Sequence, residues 1–513
     1  MNMKLASVIA VAALALGACA SIGGPPDAQT AAWWRTTGDL SSDDMEGRDT
    51  GSPGYDRAAA YVADRFERAG LSAAGDGGSY FQRISFKDIE VVNEGTSLWL
   101  LNSAGERTLE LRFLHDISVA PAWNMPVHVE GALTFRGYCR PSDLDDVRGS
   151  VVMCIGTRRA GQTTAAQRLE AVTAAGAVAL VNVDDISFTQ EPPRWPLAYA
   201  RTVAFADAPT PRATIPILRM SASAFTEWAR DVGVDAALTF DAVAHSAPIM
   251  NITSMTRFEA NFATRERSYT SGNVLAVLPG TDPAFADEPV LVIAHLDGYG
   301  YGTPVDGDAL YNGALDDAAY VATLITLADA RSGRGFRRPV IFAAVTAEEK
   351  GLLGSRYLAA HPTAAAQTPV AVLNLDQLRP LYPFRILTTL GVEDSTLGQT
   401  VREIAGPMGI EVRGDLEPDR NLLRRTDHWP FMERGVPSVS FLFGFDASDT
   451  RAAAAYRDWY ERRYHAPQDD MSTPIDFQAQ ADFHRFYFVL VERVADANDA
   501  PRWADDSPLR PRN

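Results

Sequence analysis

Val290-Leu291-Val292-Ile293-Ala294-His295-Leu296-Asp297 is an apolar run that ends in an imidazole and a carboxylate. Pro289 and Gly298 bound it, and its length and β-branched content read as a strand buried on both faces, the habit of parallel sheets. The same design recurs downstream. Val340-Ile341-Phe342-Ala343-Ala344-Val345 runs out into Glu348-Glu349, residues 370–375 run into Asp376, and 436–443 form a fourth apolar run. Between these runs the apolar spacing turns helical, over 318–330, 352–360 and finally 474–495. Strands alternating with helices of these lengths predict an α/β fold. Its core is a central, mostly parallel mixed sheet with helices on both faces, a three-layer sandwich.

Outward from this core the pattern changes. Residues 57–69 carry apolar side chains at helical spacing and stop at Gly70, as at a C-cap. Short alternating strands are expected from 81 to 114. From about 120 to 248, Val151–Ile155, a helical stretch over 164–174 and an apolar run over 178–183 make a β-α-β unit among proline-rich loops. That segment holds no catalytic constellation and reads as a smaller mixed α/β domain inserted into the larger one. The expected division is 1–18 signal peptide, 19–29 tether, 30–119 first part of the catalytic domain, 120–248 insertion, 249–500 main catalytic part and 501–513 tail.

The N-terminus reads as an export signal. Lys4 precedes an apolar run over 5–16, too short for a bilayer span of about 20 residues. Leu16-Gly17-Ala18-Cys19 resembles the lipobox of bacterial lipoproteins, which implies lipid on Cys19 and attachment to a bacterial membrane, facing the periplasm. Without lipidation the protein would be periplasmic or extracellular. Cys139 and Cys154 are the other cysteines; one disulfide or two buried thiols both fit an exported chain. The 513 residues carry 47 basic against 65 acidic side chains, a formal charge of −18, which speaks against nucleic acid and anionic lipid headgroups as partners.

In open α/β sheets ligands sit beyond the carboxyl ends of the strands. Those ends deliver His295 and Asp297, then Asp316-Asp317 in the following loop, Glu348-Glu349, Asp376, and Tyr464-His465 before the last helix. A catalytic zinc takes three protein ligands and keeps a position for water. Two zincs sharing one carboxylate therefore need five ligands, and two imidazoles, three carboxylates and one hydroxide balance the charge of two dications. One further carboxylate would stand beside them as general base.

These residues fall within ordered motifs: His295-Leu296-Asp297, Asn312-Gly313-Ala314-Leu315-Asp316-Asp317-Ala318, Thr346-Ala347-Glu348-Glu349-Lys350-Gly351-Leu352, Asn374-Leu375-Asp376 and Tyr464-His465-Ala466-Pro467-Gln468-Asp469. Together with Met45-Glu46-Gly47-Arg48 upstream, they resemble the co-catalytic di-zinc aminopeptidases, relatives of glutamate carboxypeptidase II. The 120–248 segment looks like a protease-associated domain. The resemblance implies two Zn2+, with Asp316 bridging, His295 and Asp376 completing one ion, and Glu349 and His465 the other. Glu348 becomes the general base acting on a bridging hydroxide, Tyr464 a donor to the oxyanion, and Asp297 the partner that orients His295. Asp317 and the Asp427-His428 pair would stand beside the ligands or wall the pocket.

The chain departs from the family at Gly298, where many relatives have a second His, at Asp317, where many have Asn, and at Ala319-Tyr320, where many have Ser-Gly. No ligand is lost. Of the eight histidines, His361 reads as a cap and His115, His128, His245 and His484 as surface or packing residues. The expected activity is removal of N-terminal residues from peptides. A carboxypeptidase would need arginines for the substrate carboxylate, with Arg379, Arg424 and Arg425 as candidates. A non-catalytic binding protein would have lost ligands, and a cyclotransferase on this scaffold would hold one zinc. Oligomeric state is not legible in the sequence.

Overall fold

The computed structural model describes residues 23–209, 215–376 and 378–511. The expected signal peptide and Cys19 lie outside them. The sheet at the heart of the fold runs in the order Glu411–Arg413, Ile386–Leu390, Ser438–Gly444, Ala371–Asn374, Val290–His295, Val340–Val345 and Ile252–Leu278. Its middle is parallel: 290–295 lies between 340–345 and 371–374, and 438–444 continues the same direction. Antiparallel pairings flank it, where 386–390 joins 438–444 and 252–278 joins 340–345. The α/β fold with a central, mostly parallel mixed sheet is therefore as the alternation of elements implied.

Period-two alternation assigns each strand residue to a face. Val290, Val292 and Ala294 join one core with the helices Ala28–Leu40, Pro53–Arg68, Ala319–Arg331 and Phe477–Ala495. Leu291 and Ile293 join the other with Leu358 and Phe431 from the helices on the opposite face. Three layers result. Helix 319–331 is apolar around nearly its whole circumference because it is packed against both the sheet and its neighbouring helices.

The expectation of short strands over 81–114 needs correction. Phe81–Leu101 is one strand, paired antiparallel with Ile252–Leu278 from Val274↔Phe81 to Arg257↔Leu101. Asn93-Glu94-Gly95-Thr96 looks like a turn in sequence, but pairing resumes beyond it with a register shift opposite 261–263. It is a bulge, which bends a strand without ending it.

These two long strands carry the chain into a second apolar core, gathered from Val91 through Phe262, which includes Val151, Met153, Ile155 and Trp228. That core reaches past both ends of the 120–248 segment, because strands shared by two cores have no linker to mark a boundary. The strand Val151–Ile155, the helix Ala165–Ala174 and the parallel strand Ala179–Val183 form the β-α-β unit read from the sequence. Cys139 and Cys154 are joined in a disulfide across a separation of 15 residues. Among the described residues, no helix is long and apolar enough to cross a membrane.

Candidate metal centre

The carboxyl ends of 290–295, 340–345 and 371–374 lie side by side, and the chain beyond each bends over one edge of the sheet. There the side chains form two groups able to hold a cation: His295 with Asp316 and Asp376, and Asp316 with Glu349 and His465. Within each group the ligand atoms lie within 4.8 Å of one another, and Asp316 belongs to both. Its Oδ1 is 3.1 Å from His295 Nε2 and its Oδ2 is 3.3 Å from His465 Nε2. Glu349 Oε2 is 3.4 Å from the same His465 nitrogen.

Buried carboxylate oxygens need partners. Here Asp316 Oδ2, Glu349 Oε1 and both oxygens of Asp376 are buried with no hydrogen bond among the described residues. Burial, with Asp316 and Asp427 nearby, pushes Asp376 up to about 8 against the pull of His295. Burial also raises Asp317 and Glu348 well above the carboxylate range. Three carboxylates and two imidazoles make up the two groups, with Asp317 and Glu348 beside them, so buried acid outweighs the imidazoles. Divalent cations would supply the missing positive charge, and imidazole with carboxylate is a donor set that suits zinc.

The surrounding residues fix these side chains. His295 Nδ1 points at the backbone carbonyl of Asp297, 3.0 Å away, while the Asp297 carboxylate is 3.9 Å from that nitrogen. That carboxylate instead accepts the amides of Glu348 at 2.9 Å and Glu349 at 3.4 Å. Asp297 thus orients His295 through its backbone and the 348–349 turn through its side chain. Asp317 accepts the His295 amide at 3.0 Å. Asp427 takes the Ser355 hydroxyl at 2.5 Å, and His428 Nδ1 meets Thr426 at 2.6 Å; neither joins a cation group. Tyr464 stacks on the His465 ring at 3.7 Å, with its hydroxyl 3.4 Å from Arg425.

Three supporting residues carry no assigned role in the sequence reading. Tyr299 meets His465 Nδ1 through its hydroxyl at 2.9 Å, which leaves Nε2 facing Asp316 and Glu349. Asp469 accepts the amides of Leu315 and Asp316, both at 2.9 Å, and so holds the backbone of the residue common to both groups. Arg48, fully buried, donates to the carbonyls of Leu40, Leu296, Asn312 and Gly313. Arg48 and Asp469 stand inside quoted motifs, so a signal existed; Tyr299, in sequence, is one tyrosine among 16.

The departures from the family pattern have local reasons. At Gly298 a Cβ would lie 2.8 Å from the Gly47 carbonyl, so no side chain fits. Tyr320 accepts the Arg379 amide at 2.6 Å and steadies the turn that follows Asp376. Gly313, at φ +60°, lets the loop pass Arg48 and turn into Asp316, where a Cβ would be 2.5 Å from the Asp316 carbonyl.

Arg48→Met is expected to cost on the order of 3–5 kcal/mol, because four carbonyls lose a charged donor at once. Urea denaturation of the metal-free protein measures it. A loss under about 1 kcal/mol, the range of ordinary substitutions, would show that water takes over these bonds.

The carboxypeptidase candidates are engaged. Arg425 pairs with Glu191 at 2.6 Å, Arg424 lies over the Trp429 ring, and Arg379 is buried against the rings of Tyr456 and Tyr460.

Comparison with known proteins places this geometry. Residues 273–490 match Peptidase family M28. Leupeptin-inactivating enzyme 1 of Streptomyces exfoliatus is 26% identical over 279 residues, 49% of this chain and 59% of that protein, so the match spans about three-fifths of the relative. An aminopeptidase from an Aneurinibacillus species shares the fold at a TM-score of 0.60 and 16% identity, covering 94% of this chain and 96% of the other. A zinc aminopeptidase from Bacillus subtilis does so at 0.55 and 16%, covering 92% and 96%.

Proposed function

We propose that this chain, which carries the peptidase family M28 pattern over residues 273–490, is a zinc metallopeptidase that removes N-terminal residues from peptides. The observation that carries the reading is the pair of cation groups sharing Asp316, with Glu348 beside them and in neither. His295, Asp316 and Asp376 would hold one zinc, and Asp316, Glu349 and His465 the other. When bound, the ions supply Lewis acidity toward the scissile carbonyl and toward water.

The protein's own groups do the rest. Glu348 takes a proton from the attacking water at its carboxylate and returns it to the leaving amine. Asp297 keeps that carboxylate aimed by holding the Glu348 amide. The hydroxyl of Tyr464 is the donor we assign to the developing oxyanion. A free α-ammonium group is attracted to the acidic edge around Asp376 and Asp317.

Peptides of six or more residues test the polarity of the reaction. A free-amine peptide is expected to be cut from its N-terminus. Its N-acetylated form should be cut at least about 100-fold more slowly, since the charge is gone and the added bulk fills the amine position. C-terminal amidation of these longer peptides should change little. The opposite pattern, with amidation blocking and acetylation tolerated, would establish a carboxypeptidase.

Export and lipid attachment at Cys19 belong to the same reading. The Cys139–Cys154 disulfide supports it, since such bonds persist in oxidising compartments.

A further inference from the structure

Beside the metal edge a cavity of about 570 Å3 extends between the catalytic core and the second apolar core. Tyr299, Tyr464 and His465 form its catalytic side, and Arg158, Arg194 and Arg219 line the other. A second cavity of about 440 Å3 opens on the far side of the same loop, and Arg194 and His465 line both.

The arginines at this junction are not equivalent. Arg158 is 3.3 Å from Glu191, Arg219 is 2.6 Å from Asp184, and Arg425 is 2.6 Å from Glu191. Arg194 has no carboxylate within ion-pair distance among the described residues. Its single hydrogen bond there is from one terminal nitrogen to the Tyr460 carbonyl, 2.5 Å away, and its guanidinium carbon lies 6.0 Å from the centre of the Tyr464 ring. Burial lowers its pKa, whereas for Arg425 the Tyr464 and Glu191 charges outweigh burial and raise it. A half-buried guanidinium with donors to spare and no anion is incomplete.

Its position suggests the anion. The Tyr464 ring is 3.7 Å from the His465 ring, which puts the Arg194 guanidinium within about 10 Å of that ligand, the reach of two to three extended residues at ~3.3–3.6 Å each. We infer that Arg194 is the binding site for a carboxylate on the leaving side of a short peptide, either its C-terminus or an acidic side chain. The inference rests on the peptidase reading above, and where the carboxylate is the C-terminus it makes di- and tripeptides preferred substrates.

Binding to the zinc-loaded Glu348→Gln protein tests it without turnover, with Leu-Gly-Gly, Leu-Gly-Gly-amide and Leu-Glu-Gly-amide as probes in calorimetry. Leu-Gly-Gly is expected to bind about 10- to 100-fold more tightly than its amide, the worth of a charged hydrogen-bonded contact. Adding Arg194→Gln should erase that difference and leave affinity for Leu-Gly-Gly-amide unchanged, which a merely structural role would not do. Arg194→Lys should restore part of the preference, as a point charge without the planar fork. If Leu-Glu-Gly-amide instead carries the Arg194-dependent gain, the carboxylate is that of a side chain. Equal binding of all three probes, or an equal loss for all three on Arg194→Gln, overturns the inference. Turnover of longer peptides by the unmodified enzyme judges the aminopeptidase reading separately, so the two can fail independently.

Discussion

Glu348→Gln is expected to keep its metal and lose turnover about 10²- to 10⁴-fold, the usual contribution of a general base. The amide has the carboxylate's shape but cannot accept a proton. The backbone should not move, because the Glu348 amide remains held by Asp297. Glu348 belongs to neither cation group, so its replacement removes no ligand. Glu349→Gln is the matched control. Glu349 stands 3.4 Å from His465 Nε2 within a cation group, so its amide should lower metal content first and activity only as a consequence. Kinetics and elemental analysis on the same preparations separate the two. Metal loss in Glu348→Gln with metal retained in Glu349→Gln would mean that base and ligand are exchanged.

Asp316→Ala is expected to reduce bound zinc from about two ions per chain toward none, since it removes one of three ligands from both ions at once. His465→Ala removes a ligand from one group alone and should leave about one ion, held by His295, Asp316 and Asp376. This asymmetry is the signature of a shared carboxylate. Two independent sites would lose one ion in either variant, and a single site would never exceed one in the unmodified protein. Chelation should abolish activity and added zinc should restore it. Because His295 is 1% exposed while His465 is 26% exposed at its side chain, the ion at the His465 group should leave first on dialysis against chelator.

Much of this is legible in the sequence. The apolar run ending at His295, its repeats ending before Glu348 and Asp376, and the helical spacing between them carry the fold, because burial on both faces leaves a continuous apolar imprint on a parallel strand. The metal-competent residues are legible for a related reason: His295, Asp316, Glu349 and Asp376 stand at the end of such a strand or in the loop beyond it, whereas His465 follows the helix Thr450–Asp458. Turn signals are less dependable, as the stretch from Asn93 to Thr96 shows. It carries the composition of a turn, yet the pairing with 252–278 continues past it.

The sequence by itself therefore determined the α/β architecture, the acidic character and the ordered set of metal-competent residues. The tertiary structure alone decided which oxygen of Asp316 faces which imidazole, that Asp297 holds the Glu348 amide while its carbonyl meets His295, and that Tyr299 orients His465. It also decided that Arg379 and Arg425 are engaged while Arg194 faces the cavity without a carboxylate among the described residues. The reason is physical. Strand and helix periods are local and are written into neighbouring residues, whereas the partner of a polar side chain is fixed by segments that approach from far along the chain, Arg194 and Tyr464 among them.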